Sequence, residues 1–284
     1  MDKIFFNGRI RTLDDAGHVA EAVGVENGKI VFVGTNEEAE KIACEEKVDL
    51  GDRLLLPGFV DTHLHMLHYA FVERSVKLFD CTSVEEMLDA AKKRIEEHAG
   101  KPLTWLYCRG WNEEHFVEPR YPHKDELDAL STEIPIIMVR VCGHVGVCNS
   151  RGLELLKTIP QFSEIEKDVD LETGLIKENA VQFYYSLLDT PSQEEVENYI
   201  TYSAKKLNEC GFTGVQSDDL AALPGKNWKR IMNAYKALDA RGELNVRHYE
   251  QCLFERFDDA KAFVEEGYRT GQRGNCLLYT SDAA

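Results

Sequence analysis

The sequence predicts an α/β protein, with a small N-terminal β-sandwich portion over residues 1–56 followed by a partial (β/α)8 TIM-like barrel over residues 57–276. Three observations predict it. The first fifty-odd residues are strand-like runs broken by turn residues. From Pro57 onward, short apolar runs alternate with long amphipathic helices, and strand–helix alternation means right-handed crossovers and a parallel sheet. Only five or six strand candidates occur in that region, fewer than the eight a closed barrel needs.

In the N-terminal block, Ala22, Gly24 and Glu26 alternate with Val23 and Val25, and Lys29 to Val33 follow after Asn27-Gly28. Two alternating runs around Asn-Gly predict a hairpin, because a type I′ turn needs positive φ at both central residues. Ile4-Phe5-Phe6 and Leu54-Leu55-Leu56 add further strand candidates. Downstream, Ser83 to Glu86 reads as a capping box ahead of Val84, Met87, Leu88, Ala91 and Ile95 at helical spacing. Ser192 to Glu195 repeats the device before Val196, Ile200, Ala204 and Leu207, with Gly211 just past the end. A third helix carries Ile231, Met232, Tyr235 and Leu238 ahead of Gly242. The strands between them are Phe59-Val60, Leu103 to Cys108, Ile134 to Cys142, Phe212 to Val215 and Leu244 to Tyr249. Segments 111–124 and 150–173 read as long loops. Residues 277–284 lack helical periodicity and read as a truncated or read-through tail.

The chain has 284 residues, with 33 Lys+Arg against 50 Asp+Glu and a formal net charge of −17. Such a surface repels phosphate backbones and anionic lipid, which argues against nucleic-acid and membrane partners. No apolar run approaches the ~20 residues that span a bilayer, and Met1-Asp2-Lys3-Ile4 leads directly into strand-like sequence without a signal-peptide stretch. The expected setting is cytoplasmic. Eight cysteines without a C-x-x-C pair, among them Cys108, Cys142 and Cys252 in apolar runs, read as buried small hydrophobes in a reducing compartment.

The chemistry-bearing segment is Leu55-Leu56-Pro57-Gly58-Phe59-Val60-Asp61-Thr62-His63-Leu64-His65. On a strand, His63 and His65 point to one face and Thr62 and Leu64 to the other. At the C-terminal mouth of a barrel strand that face looks into the active site, and two imidazoles fixed together make half a site for Zn2+ or a similar divalent ion.

That run resembles the first barrel strand of the amidohydrolase superfamily, and the Asn27-Gly28 hairpin resembles its small N-terminal sandwich. Further segments narrow the resemblance to the amidohydrolase-3, YtcJ-like branch, which includes N-substituted formamide deformylases. They are Arg109-Gly110-Trp111-Asn112, Leu127 to Ser131, Cys142-Gly143-His144 through Asn149-Ser150, and Gly174-Leu175-Ile176-Lys177-Glu178-Asn179-Ala180. Proteins of this branch are roughly twice this long, so the chain reads as their N-terminal portion, inactive when alone.

The resemblance implies a metal-dependent hydrolase that uses metal-activated water against a carbon–nitrogen bond of a small amide-type molecule. It implies one or two divalent ions, with zinc the first choice. His63 and His65 are the expected ligands, joined by Glu178, where the branch places a carboxylate; the alternative for Glu178 is a surface carboxylate opening a helix. Lys177 as a carboxylated bridging ligand is a further alternative. His144, after the apolar strand, is expected with Glu178 to be catalytic by polarising the substrate carbonyl; its alternative is a structural role. Asp218 and Asp219 are read as substrate or second-sphere contacts, or as a helix cap. His248 is read as a metal ligand or a core residue. His68 and His115 are read as loop residues, with Trp111 and Phe116 lining an entrance or packing on the rim. Competing functional readings are cyclic amide hydrolysis, deamination, or a non-catalytic fragment; self-association into a homo-oligomer is left open.

Overall fold

The computed structural model describes residues 1–98, 103–254, 256–274 and 277–280. By its internal contacts the chain forms two units, Met1–Phe59 and Val60–Ala284.

The first unit contains strands β1 (Lys3–Phe6), β2 (Arg9–Arg11), β3 (Val19–Ala20), β4 (Ala22–Glu26) and β5 (Lys29–Gly34), helix α1 (Asn36–Glu40), and strands β6 (Glu46–Asp49) and β7 (Leu54–Leu55). They make a four-stranded sheet in the order β5-β4-β1-β6 and a three-stranded sheet in the order β3-β2-β7. The hairpin forms at Asn27-Gly28, with φ of 50° and 72° and Glu26 opposite Lys29. Ile4, Ala22 and Ala39 centre its small core.

The second unit begins as the first ends, with β8 (Phe59–Asp61), and continues through α2 (Met66–Glu73), β9 (Val76–Lys77), α3 (Val84–Glu97), β10 (Leu106–Trp111), α4 (Lys124–Asp128), β11 (Ile136–Arg140) and β12 (Val145–Cys148). There follow α5 (Ser150–Leu156), α6 (Phe162–Ile165), β13 (Leu175–Lys177), α7 (Asn179–Leu187), α8 (Gln193–Glu209), β14 (Phe212–Ser217), α9 (Trp228–Ala240), β15 (Arg247–Gln251), α10 (Phe257–Glu265), β16 (Gln272–Arg273) and β17 (Leu277–Thr280). Of the two expected capping boxes, the one at Ser192 is complete and the one at Ser83 is half formed, because the Glu86 carboxylate accepts the Thr82 amide instead of the Ser83 amide. Ser83 accepts the Glu86 amide, and Ser192 with Glu195 forms a reciprocal box. Gly211 and Gly242 follow their helices at φ of 84° and 69°.

The expected single run of barrel strands is divided between two five-stranded sheets, ordered β13-β12-β11-β10-β9 and β16-β17-β15-β14-β8. In the first, β9, β10 and β11 are parallel, and β12 and β13 return antiparallel. In the second, β14, β15 and β17 are parallel, with α9 and α10 as crossovers. The fold is mixed α/β, and no closed barrel occurs among the described residues. Alternation reports which segments are strands but not which are neighbours, and the antiparallel return of β12 on β11 takes the edge that a barrel strand would use. Segment 150–173, expected as loop, contains α5 and α6, both too short to show helical periodicity. Leu277–Thr280, expected within the tail, is β17 paired to β15; 281–284 lie outside the described residues.

β11 illustrates why these segments fold. Ile136 and Met138 enter the core beneath α3, whereas Ile137 and Val139 enter the core beneath α5 and α7. Both faces are covered, so the strand reads as a continuous apolar run. Trp111 is fully buried, and its indole N–H donates to the Met138 carbonyl at 3.0 Å; Phe116 is also buried. Both are core residues rather than entrance lining. Trp111→Ala should cost about 3–5 kcal/mol in urea unfolding, while Val117→Ala, at an 86% exposed position, should change stability by no more than about 0.5 kcal/mol.

Candidate functional site

β8 ends at Asp61, so His63 and His65 lie just past the strand rather than on it. The Asp61 carboxylate accepts the His63 amide at 3.0 Å, forming a local turn that interrupts the ladder. Leu64 then rejoins the sheet by donating to the Gln216 carbonyl at 3.0 Å, and its side chain packs on the core. The two histidines flanking Leu64 are brought together, with ring centroids 5.1 Å apart. Behind them, His65 Nδ1 lies 2.5 Å from Asp218 Oδ1, an ion-pair contact without hydrogen-bond alignment.

The start of α2 is fixed from outside its own sequence. His65 occupies the N-cap without a side-chain cap bond. Ser217 Oγ instead accepts the Met66 amide at 3.1 Å, and Asp219 Oδ1 accepts the Leu67 amide at 3.0 Å. Asp219 is in turn held by the Tyr235 hydroxyl, which donates to Oδ2 at 2.5 Å. Glu250 Oε1 accepts the amides of Asp219 and Leu220 at 2.8 and 3.3 Å, and Glu250 Oε2 lies 2.8 Å from His248 Nε2. Tyr235 stacks on His248 at 4.1 Å, and His248 Nδ1 is buried without a partner.

Asp219, His248 and Glu250 are therefore a buried cluster whose ligand-type atoms all lie within 4.8 Å of one another. Most of those atoms already have protein partners, and His248 faces Tyr235 of α9. Burial pushes the Asp219 carboxyl up to about 6 and the His248 imidazole down to about 3, and it raises Glu250 well above the usual carboxylate range.

On the other sheet, His144 follows β11 and Glu178 follows β13. The Glu178 amide donates to the His144 carbonyl at 2.8 Å, and His144 Nδ1 contacts Glu178 Oε2 at 3.2 Å. Glu178 has φ of 45° and occupies the N-cap of α7 without bonding an amide through its side chain. The structure brings His63 to His65 and His144 to Glu178. Among the described residues it brings no third His, Cys, Asp or Glu ligand atom within 4.8 Å of both imidazoles, and Glu178 does not join them.

A cavity of about 550 Å3 is lined by His65, His68, Asp218, Arg109, His144 and Tyr185, among others. His68 is on α2 rather than in a loop, and burial, with Arg109 and His65 nearby, lowers its imidazole to about 4. His115 is exposed on a 3-10 turn and does not line the cavity. Cys142, expected to be buried, is exposed at the cavity, because the strand stops at Arg140 and a turn follows. Cys252 is half-buried just past β15, whereas Cys108 is fully buried.

Arg109 reaches the cavity by plain strand alternation, and the bulge that follows re-aims only its successor. Leu106 and Cys108 face the core, while Tyr107 and Arg109 line the cavity. Gly110, at φ of 112°, is an extra residue in the register, so Trp111 returns to the core face beside its i−3 and i−5 neighbours. A Cβ at Gly110 would sit 2.6 Å from the Phe79 ring. In sequence Arg109 belongs to the Arg109-Gly110-Trp111-Asn112 motif, one residue past the expected strand Leu103 to Cys108, and a lone cation abutting that apolar run is the available signal.

A model of the amidohydrolase family matches residues 46–275. The chain is 33% identical over 256 residues to the putative amidohydrolase YtcJ of Bacillus subtilis, covering 87% of this chain and 48% of that protein. It is 28% identical over 250 residues to the N-substituted formamide deformylase of Arthrobacter pascens, covering 83% and 46% respectively. An uncharacterized metal-dependent hydrolase from Pyrococcus horikoshii shares the fold with a TM-score of 0.75 at 24% identity, over 98% of this chain and 53% of that one. The chain spans about half the length of the curated relatives it matches. No helix among the described residues is long and apolar enough to cross a membrane.

The buried cluster has a pH signature. His248, ordinarily 6.5 and here about 3, contributes stability that is present above 6.5 and lost as pH falls toward 3. Asp219, ordinarily 3.8 and here about 6, contributes stability that is present below 3.8 and lost as pH rises through 6. In urea unfolding between pH 7 and 4, His248→Gln should lose less stability on acidification than the unsubstituted chain, and Asp219→Asn should lose more. Three parallel curves would overturn the assignment.

Proposed function

This chain belongs to the amidohydrolase family, and on that premise we propose that it carries part of the metal-binding and substrate-binding apparatus of a metal-dependent hydrolase acting on carbon–nitrogen bonds of small amide-type molecules. The observation that carries the reading is the pairing of His63 and His65 at the end of β8 with Asp218 behind His65.

The donor chemistry fits a divalent ion. The Asp218 carboxylate stands 2.5 Å from His65 Nδ1, which leaves Nε2 as the nitrogen free to face an ion, and a carboxylate behind a metal-bound histidine is common. Asp218 Oδ1 is a buried oxygen with no hydrogen bond of its own, as expected of an atom whose work is electrostatic support. Two imidazoles fill only part of a catalytic site, which takes about three protein ligands and an open position. The remaining ligand is proposed to come from sequence that this chain does not contain, since the relatives extend well beyond it. Zinc is the proposed ion, and a partial barrel the proposed relation of the β8-containing sheet to the complete fold.

His63 and His65 would hold a divalent ion, with Asp218 restraining His65, and such an ion would supply water activation near neutral pH and polarisation of a carbonyl. His144, across the cavity, donates a hydrogen bond to the carbonyl oxygen as charge develops there. Glu178, through its contact with His144 Nδ1, keeps that ring oriented, and in this reading it is a positioning residue rather than a ligand. Tyr107, Val181 and Tyr185 give the cavity an apolar wall that limits water around the reacting bond. The free cysteines among the described residues fit a reducing, cytoplasmic setting.

Metal content tests the reading directly. The chain purified without chelator and titrated with Zn2+ should bind about one ion, more weakly than a three-ligand site would, and His63→Ala combined with His65→Ala should abolish that binding. Asp218→Asn should weaken it roughly 10–100-fold while leaving the fold intact by circular dichroism. Unchanged zinc affinity in the double variant would overturn the proposal.

A further inference from the structure

Arginine is charged at every accessible pH and offers a rigid planar fork of donors. In a chain with 50 Asp+Glu against 33 Lys+Arg, carboxylates are abundant enough to pair the guanidinium groups, and several are paired. On the neighbouring strand, Arg140 donates from Nε and Nη2 to the two oxygens of Glu113 at 2.7 and 3.1 Å. Arg120 is clamped by Glu126 and Glu85, and Arg241 by Glu197 and Glu243. Arg109 differs from these. It is half-buried, it lines the 550 Å3 cavity, and among the described residues no carboxylate pairs with it. Its polar neighbour is the Tyr107 hydroxyl.

The surroundings keep the guanidinium available. Gly143, at φ of 80°, folds the turn before His144 against it, and a Cβ there would approach Nη2 to 3.2 Å. Strand alternation, with Leu106 and Cys108 in the core, commits the side chain to the cavity face. Tyr107 and Tyr185 supply aromatic surface beside it. A half-buried cation without a counter-ion is a costly arrangement that a planar oxyanion relieves through two parallel hydrogen bonds. The chain's net negative charge offers no long-range attraction to anions, and it is screened beyond about 8 Å at physiological salt, so recognition has to be local.

We propose that Arg109 is the anion-binding residue of this cavity, and that the substrate is an amide with an apolar or aromatic body carrying a carboxylate away from the bond to be cleaved. The substrate assignment rests on the hydrolase reading above; the anion site itself does not. The carboxylate docks on the Arg109 fork, the body lies along Tyr107 and Tyr185, and the amide is left toward His65 and His144.

Calorimetric titration of the chain with 4-acetamidobenzoate and with its neutral analogue 4-acetamidobenzamide, in the presence of EDTA, tests the site without metal. The acid should bind at least about tenfold more tightly than the carboxamide. Arg109→Met should remove that preference, with the far- and near-ultraviolet circular dichroism unchanged to report an intact fold. Arg109→Lys, which keeps the charge but loses the fork, should retain only part of it. Equal affinity for the two ligands, failure of both to bind, or an undiminished preference in Arg109→Met would each overturn the proposal. Acid preference in a chain that binds no zinc through His63 and His65 would sink the hydrolase reading alone, and zinc binding without acid preference would sink this one alone.

Discussion

Two buried carboxyl groups organise the proposed metal side of the cavity. Glu250 on β15 takes the amides of Asp219 and Leu220, and Asp219 takes the Leu67 amide and the Tyr235 hydroxyl. Through these contacts the end of β14, the start of α2, β15 and α9 meet at one place. An amide orphaned in such a setting costs about 1–3 kcal/mol, so the 218–220 turn has little freedom to move. That turn carries Asp218, and the first turn of α2 follows His65 directly. The contact between Asp218 and His65 is therefore set by groups that touch neither the cavity nor any ligand. Burial shifts the imidazole down and the carboxyls up, so that His248 is neutral and the carboxyls ionise less readily, which lowers the desolvation penalty of placing three ionisable side chains in the core.

Much of this molecule is legible from residue pattern alone, and most of what is not has one cause. The Asn27-Gly28 turn, the Ser192 box and the glycines after α8 and α9 are local signals, decided by a few neighbouring residues. The pairing of His63 with His65 is local as well, although Asp61 diverts the backbone so that the pair lies after the strand. What could not be read is pairing at long range. Nothing in the apolar runs of β10 and β11 states that they join β12 and β13 rather than β8 and β14. Cys142 and His68 differ from expectation for local reasons, because β11 stops at Arg140 and α2 begins at Met66 directly after the histidine pair. The family match agrees with the motif resemblance because those motifs are contiguous in sequence.

His248, read as a metal ligand or a core residue, shows what strand position leaves open. It alternates in phase with Val246 and Leu244. The register places it opposite Val215 and Leu277, both core residues beneath the helices. Period-two alternation gives two faces and does not say which of them is solvent, cavity or core.

The cavity draws its walls from separate sheets. His65 and Asp218 lie at the ends of β8 and β14, whereas Arg109 and His144 belong to the sheet of β10 and β11. Each wall has its own hydrophobic core and its own polar anchors. A substitution in the sheet bearing β10 can thus alter one wall of the cavity without disturbing the packing that holds the imidazole pair on the other.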